Sequence, residues 1–187
     1  AETKTIVHVP QGNLVTMDPV LTTAQVTRNA AAMVFETLYG RDETLEPKPQ
    51  MLAGHQIEDN GLRWTMTLRD GLRFHDDTPV LARDCVASIK RWAARDGFGQ
   101  ALMAVTDDIT APDDRTIRFR LRKRFPVARA LTNSALIMPE RLASIDSAKQ
   151  ISEMVGSGPF RFLPAERVPG ARNAYARFEG YVPRPDG

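Results

Sequence analysis

A mixed α/β fold is predicted by three patterns in the chain. Trp64, Met66 and Leu68 alternate with Thr65, Thr67 and Arg69, the period of a strand with one buried face. Ile117, Phe119 and Leu121 alternate with Arg118, Arg120 and Arg122 in the same way. Between these two runs, Val86, Ile89 and Trp92 fall on one face of a helix, with Arg83, Lys90 and Arg91 largely off it.

The elements follow in order. Residues 4–9 read as a short strand, with β-branched Ile6, Val7 and Val9. Gln11-Gly12-Asn13 is a turn, and Leu14 to Pro19 an extended entry in which Pro19 holds Asp18 away from helix. Ala24 to Leu38 reads as a helix, capped by Thr22 or Thr23 and stopped by Gly40. The polar, proline-bearing run from Arg41 to Pro49 crosses to a second unit. Met51–Ile57 and Leu62–Arg69 are extended pieces around an Asp59-Asn60-Gly61 turn. Leu72 and Phe74 resume the extended pattern after the Asp70-Gly71 turn, and His75 to Pro79 breaks it. The helix over 81–95 follows, and Gly97 and Gly99 loosen the chain before a short apolar segment, Ala101–Val105. Residues 105–111 and 116–121 form a hairpin around Pro112-Asp113-Asp114. Short helical pieces are expected from Pro126, over Pro139–Ala143 and over Ala148–Met154. Strands are expected at Phe160–Phe162 and Asn173–Phe178, before an irregular Pro-rich stretch from Tyr181 to Gly187.

Composition narrows the function. The 187 residues are 42% hydrophobic and 26% charged, ordinary for a globular protein. A formal net charge of +2 is too small to imply a nucleic acid or an anionic membrane as partner. No apolar run approaches the roughly 20 residues that span a bilayer. Cys85 is the one cysteine, so no intrachain disulfide forms, and its apolar neighbours make it a buried, inert thiol.

Four groups of residues bear on chemistry. His75, Asp76 and Asp77 could serve a metal-dependent hydrolase, yet a strand-to-helix turn accounts for them without chemistry, and no His-x-x-x-His pattern supplies further ligands. The run from Arg115 to Arg129 holds seven cations and no acid. It reads as a solvated sheet face, or as a basic-hairpin module docking an acidic partner. Gly156-Ser157-Gly158 lacks the lysine and the spacing of a phosphate loop, but its glycines suit close backbone approach. The hydroxyls of Thr22 and Thr23, at a helix start, suit a ligand carboxylate or carbonyl as well as helix capping.

Four motifs carry a family resemblance. LRDGLRFHDDTPVLARDCVASIKR resembles the segment LRxGvkFhDGtPftAeDVvfsl of family 5 solute-binding proteins of bacterial ABC transporters, the peptide, nickel and opine branch. NLVTMDP from Asn13, PQMLA from Pro49 with Asn60-Gly61-Leu62, and GSGPFRF from Gly156 resemble further segments of that family, in its order. One departure is Asp77, where the family has glycine. Asp tolerates a positive φ better than most residues.

The resemblance implies a type II periplasmic-binding-protein-like fold, held here in part. Residues 1–45 would begin lobe one, 46–150 would form an inserted small α+β domain, and 151–187 would return to lobe one before a second lobe. It implies an extracytoplasmic, periplasmic receptor whose signal peptide has been removed, consistent with Ala1 as a mature start. Such a receptor binds peptides or related small solutes and hands them to ABC transporter membrane subunits. The resemblance implies no catalysis, cofactor, metal, nucleic acid or membrane insertion. The loop Val20-Leu21-Thr22-Thr23 would line the ligand cleft, with Ser157 and Gly158 beside it. Leu21, Thr22, Thr23, Ser157 and Gly158 are thus the candidate cleft residues.

Overall fold

A computed structural model describes residues 4–132 and 134–184. In chain order its helices are α1 (Gln25–Val34), α2 (Ala82–Ala93), α3 (Gly97–Ala104), α4 (Val127–Ala130) and α5 (Glu140–Ala143). Its strands are β1 (Glu36–Thr37), β2 (Tyr39–Arg41), β3 (Pro47–Pro49), β4 (Leu52–Glu58), β5 (Arg63–Leu68), β6 (Thr106–Thr110), β7 (Thr116–Leu121), β8 (Leu136–Ile137), β9 (Phe160–Phe162) and β10 (Tyr175–Arg177).

The main body is an antiparallel sheet in the order β4-β5-β7-β6. Its register sets Trp64 opposite Phe119 and Met66 opposite Ile117, so the alternation read from the sequence puts all four on one face. Leu68, Leu121 and Ile109 join them there, and Cys85, Ile89 and Trp92 of α2 belong to the same cluster. Arg63, Arg118 and Arg120 stand on the opposite, solvated face. The turn from β4 to β5 uses positive φ at Asp59, Asn60 and Gly61. α2 starts where Asp84 reaches back, its Oδ2 accepting from the Leu81 N–H at 2.8 Å. The other oxygen accepts from Glu140 N at 2.8 Å and so ties α5 to the same helix start.

A second apolar cluster combines Leu14, Met17, Ala31, Val34 and Phe35 with Met138, Leu142, Ile151, Met154 and Phe162. α1 packs there against β9. Cys85 is fully buried, and burial pushes its thiol well above the ordinary range.

Several expectations change. Residues 4–9 form no strand, and Ile6, Val7 and Val9 are exposed. A strand needs a partner edge, and among the described residues none pairs with this segment. α1 ends at Val34 rather than Leu38, because Phe35 turns extended to enter β1. Gly40 accordingly sits in β2 instead of stopping a helix. Ala24 holds the cap position without a side-chain bond, and Thr22 Oγ1 accepts instead from Ala24 N at 3.1 Å, closing the loop before the helix. Residues 97–104 are helical despite two glycines, because Asp96 caps them by accepting from Phe98 N and Gly99 N. Residues 148–154 form no helix. They are held by Ile151 N, which donates to Asp18 Oδ2 at 3.0 Å. Arg91 is buried with the apolar face of α2 rather than off it. The irregular end agrees with the sequence over 181–184, and 185–187 lie outside the described residues.

Candidate ligand-binding site

The loop between Asp18 and α1 is built from its first residue. Asp18 Oδ1 accepts from Val20 N at 2.9 Å, and Leu21 N donates to the Asp18 carbonyl at 3.2 Å. The other carboxylate oxygen accepts from Arg91 Nη2 at 2.7 Å, with both side chains out of solvent. Arg91 also donates to the carbonyls of Ile145 and Lys149. One buried ion pair thereby joins the loop, α2 and the 145–151 segment.

This loop forms one wall of a shallow hollow of about 140 Å³. Val20, Thr22, Thr23 and Arg28 line it with Trp92, Arg95 and Asp96 from the end of α2, and Pro19, Ala32, Ser134 and Leu136 complete the lining. Leu21 is half-buried and is not among these lining residues.

Ser157 and Gly158 lie elsewhere. Gly158 N donates to Val34 O at 2.9 Å, at the far end of α1, so a helix about 15 Å long separates them from Thr23. Ser157 is buried, and its hydroxyl donates to Glu36 Oε2 at 2.8 Å. Gln50 Nε2 donates to the second Glu36 oxygen at 3.2 Å. Burial pushes the Glu36 carboxyl above its ordinary pKa, against the two hydrogen bonds that favour its charged form. The five candidates therefore do not converge: Thr22 and Thr23 line the hollow, while Ser157 and Gly158 brace the opposite end of α1.

Gly156 and Gly158 do serve close approach. A Cβ on Gly156 would meet Val34 O at 2.1 Å, and one on Gly158 would meet Met33 O at 2.8 Å. His75 locks the same segment. Its Nε2–H donates to Gly158 O at 2.9 Å, and Nδ1 accepts from Gly156 N at 3.4 Å. Those partners require the neutral ring with its proton on Nε2. His75 also packs edge-on against Phe178.

The hydrolase reading fails on this geometry. Both His75 nitrogens are engaged with backbone, Asp76 accepts from Thr78 and Arg141, and Asp77 occupies a turn at φ 65°. The last value accounts for glycine in the matching family segment. No group of three or more His, Cys, Asp or Glu side chains among the described residues is placed to hold a metal.

Burial lowers the pKa of His75 from 6.5, and the nearby Arg161 charge acts in the same direction. The unfolded chain therefore takes up this proton first, and stability falls as pH drops below about 6.5. Urea midpoints at pH 7.5 and 5.5 should differ more for the native sequence than for His75→Gln. Equal pH dependence would show that His75 takes up its proton in the folded protein as readily as in the unfolded chain.

Sequence reasoning missed Glu36, Arg91 and the bracing role of His75. Two cations, Lys90 and Arg91, lie between Ile89 and Trp92, and nothing in the local spacing marks Arg91 as the one that turns inward.

The family model for bacterial extracellular solute-binding proteins, family 5 Middle, matches residues 46–186. A "probable peptide ABC transporter periplasmic-binding protein" of Sinorhizobium fredii, y4tO, is 41% identical over 180 residues, 94% of this chain and 34% of its own length. The periplasmic murein peptide-binding protein MppA of Escherichia coli is 30% identical over 149 residues, 68% of this chain and 28% of that protein. Among solved structures, NikA of Brucella suis in complex with Fe(III)-EDTA superposes with a TM-score of 0.78 at 19% identity, over 90% of this chain and 34% of NikA. AgaA of Agrobacterium tumefaciens R10 in complex with agropinic acid gives 0.76 at 22% identity, over 89% of this chain and 34% of AgaA. The chain thus spans about a third of the length of the relatives it matches. The superpositions establish the type II periplasmic-binding-protein fold, present in part. With residues 46–186 matched by the family model and 94% of the chain aligned to y4tO at 41% identity, the chain belongs to the bacterial extracellular solute-binding proteins of family 5.

Proposed function

We propose that this chain is part of the substrate-binding component of an ABC importer, in the periplasm, taking peptides or related small solutes. It binds and delivers, and no bond is made or broken. The observation that carries this reading is the 41% identity to a peptide ABC transporter periplasmic-binding protein across 94% of the chain. Membrane subunits of the transporter are the partner. No helix among the described residues is long and apolar enough to cross a membrane.

The division proposed is 1–45 for the first part of lobe one, 46–150 for the inserted domain and 151–187 for the return. Two apolar clusters support a division of this kind, with breaks near 36 and 138: one runs from Leu38 to Ile137, and the other unites residues 14–35 with 138–162. The Leu21-Thr22-Thr23 loop is the cleft wall, and Ser157 and Gly158 contribute by bracing the far end of α1.

Receptors of this kind close two lobes around the ligand and exclude water from both sides. Residues 1–187 alone supply one side. Calorimetry on this polypeptide with the solute of the whole receptor should give no binding tighter than about millimolar, an affinity near −4 kcal/mol. Micromolar binding would overturn the two-lobe reading.

A further inference from the structure

We propose that the hollow between α1 and the end of α2 receives a carboxylate of the solute, held by Arg28 and Arg95. This rests on the receptor reading above and adds the chemistry recognised at this end of the cleft. Ligand pockets usually measure about 300–1,000 Å³. At about 140 Å³ the hollow admits an end group, not a whole peptide.

The charges decide which group. Arg63, Arg83, Arg115, Arg129 and Arg141, on other faces, each have a carboxylate oxygen within 4.0 Å. Arg28 and Arg95, like Arg73 and Arg118 elsewhere, have no such partner among the described residues, and these two are set apart by lining one hollow together. The one acid of the lining, Asp96, is engaged in capping α3. Two guanidiniums against one carboxylate leave the hollow with one positive charge in excess. A planar guanidinium pairs with a carboxylate through two parallel hydrogen bonds. Thr22, Thr23 and Ser134 bring hydroxyls to the same lining. Trp92, a buried residue of the lining, keeps an indole N–H without a partner among the described residues.

A peptide carries such a group at its C-terminus or on an acidic side chain, and the test separates the two. Calorimetry on the full-length receptor carrying this chain uses Ala-Ala-Ala, its C-terminal amide, Ala-Glu-Ala and Ala-Gln-Ala. Neutralising the carboxylate that occupies the hollow should weaken binding about tenfold in the native receptor. The same neutralisation should cost less than about twofold in an Arg28→Gln/Arg95→Gln receptor, because the partner charge is gone. Loss on amidation assigns the C-terminus, and loss on Glu-to-Gln exchange assigns the side chain. Equal losses in both receptors, or none in the native one, would overturn the proposal while leaving the receptor intact. Absence of binding by any of the peptides would instead remove the peptide-receptor reading, and this inference with it.

Discussion

Arg91→Ala is expected to lower the unfolding free energy by about 3–5 kcal/mol, the usual consequence of deleting one member of a buried ion pair. The side chain of Asp18 is fully buried and that of Arg91 is 1% exposed. Truncation leaves the Asp18 carboxylate with only the Val20 and Ile151 amides, and the Ile145 and Lys149 carbonyls lose their donor. The loss reaches the site, because Asp18 positions Val20 and Leu21 at the entry to the candidate cleft loop. Paired apolar replacement, Asp18→Leu with Arg91→Met, should recover part of the stability, since no charge then remains to be buried alone. Urea unfolding followed by tryptophan fluorescence reads both variants, Trp92 being the next residue. A loss below about 1 kcal/mol for Arg91→Ala would mean that the pair is hydrated and contributes like a surface one.

Gly156→Ala should destabilise by about 3 kcal/mol, the upper part of the range for overpacking a core. The added methyl would stand 2.1 Å from Val34 O and 2.7 Å from Phe35 Cδ1. The first contact is backbone, so no rotamer change relieves it. To make room, the segment must withdraw from α1. That movement breaks the Gly158 N–H to Val34 O bond and the backbone bond from His75 N to Gly156 O, both 2.9 Å. Gly12→Ala is the control, with no atom within 4 Å of the new methyl and an expected change within about 0.5 kcal/mol. Equal stability of the two variants would show that the approach is looser in solution and that the glycine is dispensable.

Much of the architecture was legible because period-two and helical patterns are local. Trp64, Met66 and Leu68, and Ile117, Phe119 and Leu121, reached the buried face on alternation alone. The turns at Asp59-Asn60-Gly61 and Asp77 followed from residues that tolerate positive φ. The family motifs likewise sit in short contiguous segments, and the model match over 46–186 agrees with them.

What the chain alone determined is therefore the four strands of the main sheet, several turns, the main helix and the family, each written within a dozen or so neighbouring residues. Only the tertiary structure decided that Arg91 turns inward to Asp18, 73 residues away, and that His75 clasps Gly158, 83 residues on. It also decided that Ser157 braces Glu36 instead of sharing a wall with Thr22 and Thr23, and that residues 4–9 lack a strand partner among the described residues. The physical reason is common to all four. A polar group or a strand edge is satisfied by whatever the fold brings alongside it, and that neighbour is not encoded in the spacing around the residue itself.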